Sequence, residues 1–306
     1  MAIPSEISPL FIVFLHCIII FAATIKYCLM KKLSLLLLAL LVTTLAIAQK
    51  KEKIKGTKNV TVTQKEVQAF KNVEVEDNIE LYLIKGESQN IEIEADDNLQ
   101  DVIMADVNGT NLRIYTAKEI SGAKKISVRL TYTSDLKSVT AKNESILYAL
   151  ADLEAEDITI KNLDYSKSLL NVKATNFTLS MNDKTTAEIN LKSDVANIEL
   201  SKNASLKALI ASQNVKFDMY QKTTAVIEGD AANVQLRIDN NASFIGKKFT
   251  AKNMELMAES QSKCSILATE GLTVGASGKS IIEIYGAPTK LGMTKFEGTA
   301  TIFKKE

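Results

Sequence analysis

The sequence predicts an all-β protein: a single-chain parallel β-helix, or solenoid, with coils of about 19 residues and a more irregular N-terminal cap containing one short helix and a hairpin. Three observations carry that reading. Apolar and polar residues alternate with period two over short segments through the body of the chain, as in strands with one buried face. No long stretch carries a helical stripe. A four-residue pattern of Asn (or Asp, Gly), apolar, polar, apolar recurs at near-constant spacing.

The first fifty residues stand apart. Residues 11–25 read FIVFLHCIIIFAATI and residues 33–48 read LSLLLLALLVTTLAIA, with Met30, Lys31 and Lys32 between them. From Met30 the order is a short basic start, an apolar run, then Ala46-Ile47-Ala48 before Gln49, the three parts of a secretory signal. Residues 30–48 are therefore expected to be a signal peptide cleaved after Ala48. Residues 1–29 are expected to be an extra hydrophobic segment ahead of a start at Met30. A pair of membrane segments is the rival reading, but each run is short for a span of ~20 residues. The expected product is exported to the periplasm or the cell surface, with no stable membrane span in the mature chain. Residues 49–65, with Lys50, Lys51, Lys53, Lys55 and Lys58, are expected to be a basic linker, and residues 66–303 the β-helix domain.

Residues 70–95 supply two alternating strands, through Val73, Val75 and Leu83 and then through Ile91 and Ile93. Residues 96–104, DDNLQDVIM, fit one short helix with Asp96 or Asp97 at its N-cap. Residues 104–115 fit a hairpin, with Asn108 and Gly109 at the two positive-φ positions of a type I′ turn. Residues 128–132 add another strand.

From residue 157 the repeat takes over. The pattern begins at Asp157, Asn176, Asn197, Asn214, Asn233, Asn253 and Gly271, spaced by 19, 21, 17, 19, 20 and 18 residues. Between these, a small residue recurs at Ala187, Ala204, Ala225, Ala242, Cys264 and Ser280, with a large apolar residue two positions on. Each coil thus holds two short strands and two turns. A strand with one apolar face cannot bury it alone, so coils stack at ~4.8 Å into continuous columns. The Asn column is expected at a corner, where Asn tolerates positive φ and bonds nearby backbone. Cys264 is expected to be a small buried hydrophobe between Ala242 and Ser280.

The segment running from Phe70-Lys71-Asn72-Val73 through Ile79-Glu80-Leu81-Tyr82-Leu83 to Ala95-Asp96-Asp97-Asn98-Leu99 and Val107-Asn108-Gly109-Thr110-Asn111-Leu112-Arg113-Ile114 resembles a known bacterial family. It is the putative auto-transporter adhesin head GIN domain, also called DUF2807, and the resemblance covers roughly residues 66–300. It implies a β-helical fold, export and an adhesin-like role. It carries no catalytic motif, so it transfers no site residue. No translocator-barrel segment follows the repeats, so the chain is not expected to be a complete autotransporter by itself.

The chemistry of the residues points the same way. Lys and Arg total 37 and Asp and Glu 36, a net charge of +1, which gives no basic face for nucleic acid. His16 is the single His and lies in the N-terminal hydrophobic stretch; Trp is absent and only Arg113, Arg129 and Arg237 are arginines. A body without His lacks the commonest transition-metal ligand and any activator for Cys264. Glu74, Glu76, Asp77 and Glu80 would approach Glu92 and Glu94 if their strands paired, a conceivable calcium site, but alternating Val-Glu is the pattern of a solvated strand face. The sequence therefore supports an exported, non-catalytic binding or structural protein with no cofactor, no metal and no catalytic residue. Its partner would be a glycan or a protein of the envelope or beyond, and a homo-oligomer is left open. The alternative is a β-helical polysaccharide lyase or hydrolase.

Overall fold

The computed structural model describes residues 51–306. The expected signal peptide, its expected cleavage point and the expected Met30 start lie outside the described residues. The cap contains β1 (Lys53–Lys55), β2 (Val60–Lys65), β3 (Asn72–Val75), β4 (Glu80–Lys85), β5 (Asn90–Asp96), a 3₁₀ turn (Asp97–Leu99), β6 (Ile103–Asn108), β7 (Asn111–Thr116), β8 (Glu119–Ser121), β9 (Ile126–Tyr132) and β10 (Ser138–Ala141). The body contains β11 (Ile146–Asn162), β12 (Lys167–Met181), β13 (Thr186–Leu200), β14 (Ser205–Met219), β15 (Thr224–Ile238), β16 (Ser243–Ala258) and β17 (Lys263–Ala276). The last coil is built from β18 (Ile281–Tyr285), β19 (Lys290–Phe296) and β20 (Thr301–Lys304). Together they form a solenoid of about nine turns with coils of about 19 residues. Among the described residues no helix is long and apolar enough to cross a membrane.

Each long strand turns one corner without breaking its ladder. In β13 the buried positions are Ala187, Ile189, Leu191 and Ser193, then Ala196, Ile198 and Leu200. Two successive outward-facing residues, Asp194 and Val195, shift the phase there, so the two halves bury their faces from different sides. The same double step occurs at Thr175-Asn176, Gln213-Asn214 and Lys252-Asn253. Stacking is parallel throughout the body: Leu170 lies beside Ile189, Leu179 beside Ile198, and Asn214 beside Asn233. The 19-residue step is interrupted near Val226–Glu228 and Ile245–Thr250, where the register shifts.

The second corner is a two-residue turn made almost entirely of left-handed, non-glycine residues. Positive φ occurs at both Asp77 and Asn78, Asn143 and Glu144, Asp164 and Tyr165, Asp183 and Lys184, Lys202 and Asn203, Gln221 and Lys222, and Asn240 and Asn241. Asn and Asp, eight of these fourteen, tolerate this conformation, whereas Glu144, Tyr165, Lys184, Lys202, Gln221 and Lys222 resist it, and what holds them is the next turn. Glu144 N–H donates to the Asp164 carbonyl, Tyr165 to Asp183, Lys184 to Lys202, Asn203 to Gln221 and Lys222 to Asn240. After Asn241 the turns keep a single positive φ, at Ser260, Gly278 and Gly298, and the bond runs the other way, from Lys279 N–H to Ser260 and Thr299 N–H to Gly278. Beneath each turn sits a small buried residue: Ser145, Ser166, Thr185, Ala204, Thr223, Ala242, Ser262, Ser280, Ala300.

Several sequence expectations change. Val195, not Asn197, occupies the Asn column, because Asn176 lies beside Val195 and Val195 beside Asn214. A slip of two residues keeps every side chain on its own face, so alternation cannot detect it. The same slip misplaced Cys264, which stacks between Phe244 and Ile282; Ala204, Ala242 and Ser280 belong to the turn column two residues earlier. The Asn column does sit at a corner, but its members are exposed, have negative φ and bond one another: Asn176 to Asp157 at 2.8 Å, Asn233 to Asn214 at 3.0 Å and Asn253 to Asn233 at 3.3 Å. In the hairpin, Gly109 alone has positive φ and the loop is Gly109-Thr110, the signature of a type II′ turn. The short helix is one 3₁₀ turn, since the chain enters β6 at Ile103. The expected basic linker is partly structured: β1 pairs with β8, and β2 with β5.

Candidate binding surface

The segment Ala95–Gln100, the densest part of the family-like motif, serves as a clasp. Asp96 is fully buried, and its carboxylate accepts backbone N–H bonds from Lys58 at 2.7 Å, Lys124 at 3.0 Å and Lys125 at 3.2 Å. It makes no capping bond to the 3₁₀ turn. Asn98 donates to the Lys55 carbonyl and accepts from the Thr57 N–H. Gln100 donates to the Thr61 carbonyl at 2.8 Å, and Asp97 accepts from Thr57 and Asn59. These bonds hold Asp97's carboxyl below its usual range, the Thr57 hydroxyl contributing most. All of them fasten residues 55–61 and 124–125 over the end of the core.

The acidic rows do not meet. β5 pairs with β2 and β9, whereas β3 pairs with β7 and β10 and β4 with β9 and β11. Arg129 bonds Glu92 and Glu94, Lys125 bonds Glu80 at 2.7 Å, and Lys142 bonds Glu74 at 2.7 Å. Glu76 takes Arg113 through both oxygens, at 2.9 and 3.2 Å, and this bond draws its carboxyl below the ordinary range. Among the described residues no group of three or more His, Cys, Asp and Glu converges as a metal site. Burial pushes the Cys264 thiol far up, leaving it protonated and inert.

Among the grooves that the coils build, two run along the same strands. One, about 840 Å³, has a floor of Ala155, Ala174, Ser193 and Ser212, the two serines 3.2 Å apart. Its outward column runs Glu154, Lys173, Lys192, Ala211, Asp230 on consecutive coils, roughly 20 Å at ~4.8 Å per coil. Lys85 bonds Glu154 at 2.6 Å and lowers its carboxyl. Lys173 and Lys192 are neighbours on adjacent coils, and Lys173 reaches Glu154 at 3.9 Å on its other side. The second groove, about 400 Å³, has exposed Leu150, Leu169 and Leu209 beside an amide ladder, Asn190 to Asn171 at 2.8 Å. Its charged side chains are paired, Glu188 with Lys207 at 3.4 Å and Glu228 with Lys248 at 3.0 Å.

No site residue was expected from the sequence, and it gave no direct sign of either groove. A signal was present. Ala174, Ser193, Ser212 and Ala231 recur at 19-residue spacing two positions before the corner column. Small residues there make the wall sink inward.

A family model described as putative auto-transporter adhesin, head GIN domain, matches residues 69–288. Solved structures share the fold. A putative adhesin from Parabacteroides merdae is 16% identical with a TM-score of 0.60, and one from Parabacteroides distasonis is 13% identical with a TM-score of 0.64. A protein of Parabacteroides distasonis described as a putative lipid binding protein is 15% identical with a TM-score of 0.57. Each match covers 83% of this chain and 100% of the other. At such identities the likeness shows the fold alone. No curated protein matches the chain.

Proposed function

The chain belongs to the putative auto-transporter adhesin, head GIN domain family, and from that premise we propose that it is an exported, non-catalytic binding protein of the cell envelope. The observation that carries the reading is the 840 Å³ groove, a rigid polar channel crossing five coils with side chains of both charges on its walls. Solenoids present long, shallow surfaces of this kind to extended partners. Its chemistry suits holding rather than turnover. A general acid needs a raised carboxyl, whereas Glu154 on the groove wall and Asp157 beside it are both lowered by hydrogen bonds, from Lys85 and Asn176 respectively. Lys192, which has no ion pair among the described residues, stands beside Lys173, and this concentration of positive charge favours a partner with acidic groups, such as an acidic glycan or a protein loop. Residues 30–48 would direct export, with the mature chain beginning at Gln49.

The test is a glycan array probed with the protein as cells process and export it, beside a reducing-sugar assay on the same glycans. Binding without product is expected, and Lys173→Glu together with Lys192→Glu should abolish it without changing the melting temperature. Release of sugar ends would overturn the reading in favour of a polysaccharide-active enzyme. Mass spectrometry of the exported form checks the Gln49 start, and proteolysis of intact cells separates surface from periplasm.

A further inference from the structure

The last coil leaves its core open. β19 stacks on β17 and β20 on β18, and among the described strands neither has a partner on its other edge. The apolar columns nevertheless continue into them: Leu291 follows Leu272, Met293 follows Val274, and Phe296 follows Ala276. The three residues they follow are buried, whereas Leu291, Met293 and Phe296 are 67, 58 and 51% exposed. On β20 the core column continues from Ile282 to Ile302. An unpaired edge beside a row of apolar side chains is a template for another strand.

We propose that this end docks on the same end of a second copy of the chain, β19 pairing antiparallel with its counterpart about a two-fold axis between Met293 and Thr294. The strand is self-complementary in that register. Lys290 falls opposite Glu297 of the second copy, and Leu291 opposite Phe296 of the second copy. By symmetry each contact occurs twice. β19 carries one extra residue at Thr294, which resets its alternation and puts Leu291, Met293 and Phe296 all on the core side. Opposed residues of an antiparallel pair share a face, so the Leu–Phe pairs cover the open columns while the Lys–Glu pairs lie on the outer side. Glu297 bonds Lys295 of its own strand at 3.4 Å and is itself mostly exposed, so it is placed to accept the second lysine. A head-to-tail stack lacks this match, because the opposite end of the solenoid is sealed by the clasp. One strand pair and a few apolar side chains bury less than the ~1,200–2,000 Å² of a standard stable interface. The dimer is therefore weak and dissociates on dilution. It holds whatever the grooves bind.

The chain is expressed from its full length, the form that cells accumulate is purified, and its mass is followed by sedimentation over a range of concentrations. A monomer–dimer equilibrium is expected. Lys290→Glu and Glu297→Lys should each weaken association by about tenfold, since two attractive cross-strand pairs become repulsive. The double variant should restore it, and Phe296→Glu should abolish it. All three positions lie in the open coil, so circular dichroism and melting should be unchanged, which separates loss of contact from loss of fold. A monomer at every concentration would overturn the proposal. So would a dimer indifferent to the charge reversals, or one that the double variant fails to rescue.

Discussion

The two ends of the solenoid solve the same problem differently. At the N-terminal end Phe70, Leu99 and Ile103 are fully buried beneath β2, the 3₁₀ turn and the loop before β9, with Asp96 bonding three backbone N–H groups across the lid. At the C-terminal end the same kind of apolar column stops in side chains that face solvent. A repeat stack needs protection at both ends. The contrast shows that closure is a separate element with its own sequence: the coil pattern alone supplies columns but not a lid.

If the lid is special and the coils are interchangeable, coil number is adjustable and coil phase is not. Deleting residues 214–232 places Asn233 where Asn214 stood, and Ile198 and Leu200 then meet Leu236 and Ile238 instead of Phe217 and Met219. Such a protein should fold with somewhat lower stability. Deleting only residues 214–222 joins unlike sides of the coil and should prevent folding, each displaced Leu- or Phe-sized group costing ~1.5–3 kcal/mol. Circular dichroism and thermal melts of both decide it; the reverse outcome would refute the stacking.

The ends should differ next most. Asp96→Ala strands three buried backbone donors and should cost about 3–5 kcal/mol, whereas Phe296→Ala at the open end should cost under ~0.5 kcal/mol in dilute solution. Denaturant titration of the two variants measures the gap. Equal losses would mean that the C-terminal coil is sealed after all.

Acid should weaken the cap. Glu76 is lowered from 4.5 by its Arg113 bonds. A depressed folded pKa gives stability that is present above the unfolded value and is lost as pH falls through the folded one. The melting temperature should therefore drop below about pH 4.5, and Glu76→Gln should flatten that limb while leaving the neutral-pH fold intact. The smallest effect is expected in the body. Arg237 lies beside Asp218 on the neighbouring coil but bonds Glu259 at 3.2 Å, the arginine half exposed and the glutamate about a quarter exposed. Arg237→Ala should shift stability by ~0–1 kcal/mol; a larger loss in the thermal melt would mean the coil face carries more than packing.

Much of this architecture was legible in the sequence because a 19-residue period is long-range information written locally. Period-two alternation marked the strands, and the repeated Asn marked one corner. The phase between coils was not legible, since Asn197 and Val195 both face outward and a two-residue shift costs alternation nothing. The left-handed corner was hidden for another reason. Tyr165, Lys184, Lys202 and Gln221 have no intrinsic liking for positive φ, and only the adjacent turn, unknown before stacking, makes them adopt it. The clasp was visible as a dense polar segment, but Asp96 read as a helix cap because its true partners lie 38 and 28 residues away. The grooves follow from small residues whose role is to be absent volume.

The ladder that joins the turns has a mechanical consequence. Every inter-coil hydrogen bond, from strand and turn alike, points along the solenoid axis. Tension applied along that axis passes through every interface in series and the weakest gives way first, so the molecule would lengthen in steps of one coil. Tension across the axis is shared by all the coils at once. The same stack is thus compliant as a spring in one direction and stiff as a beam in the other.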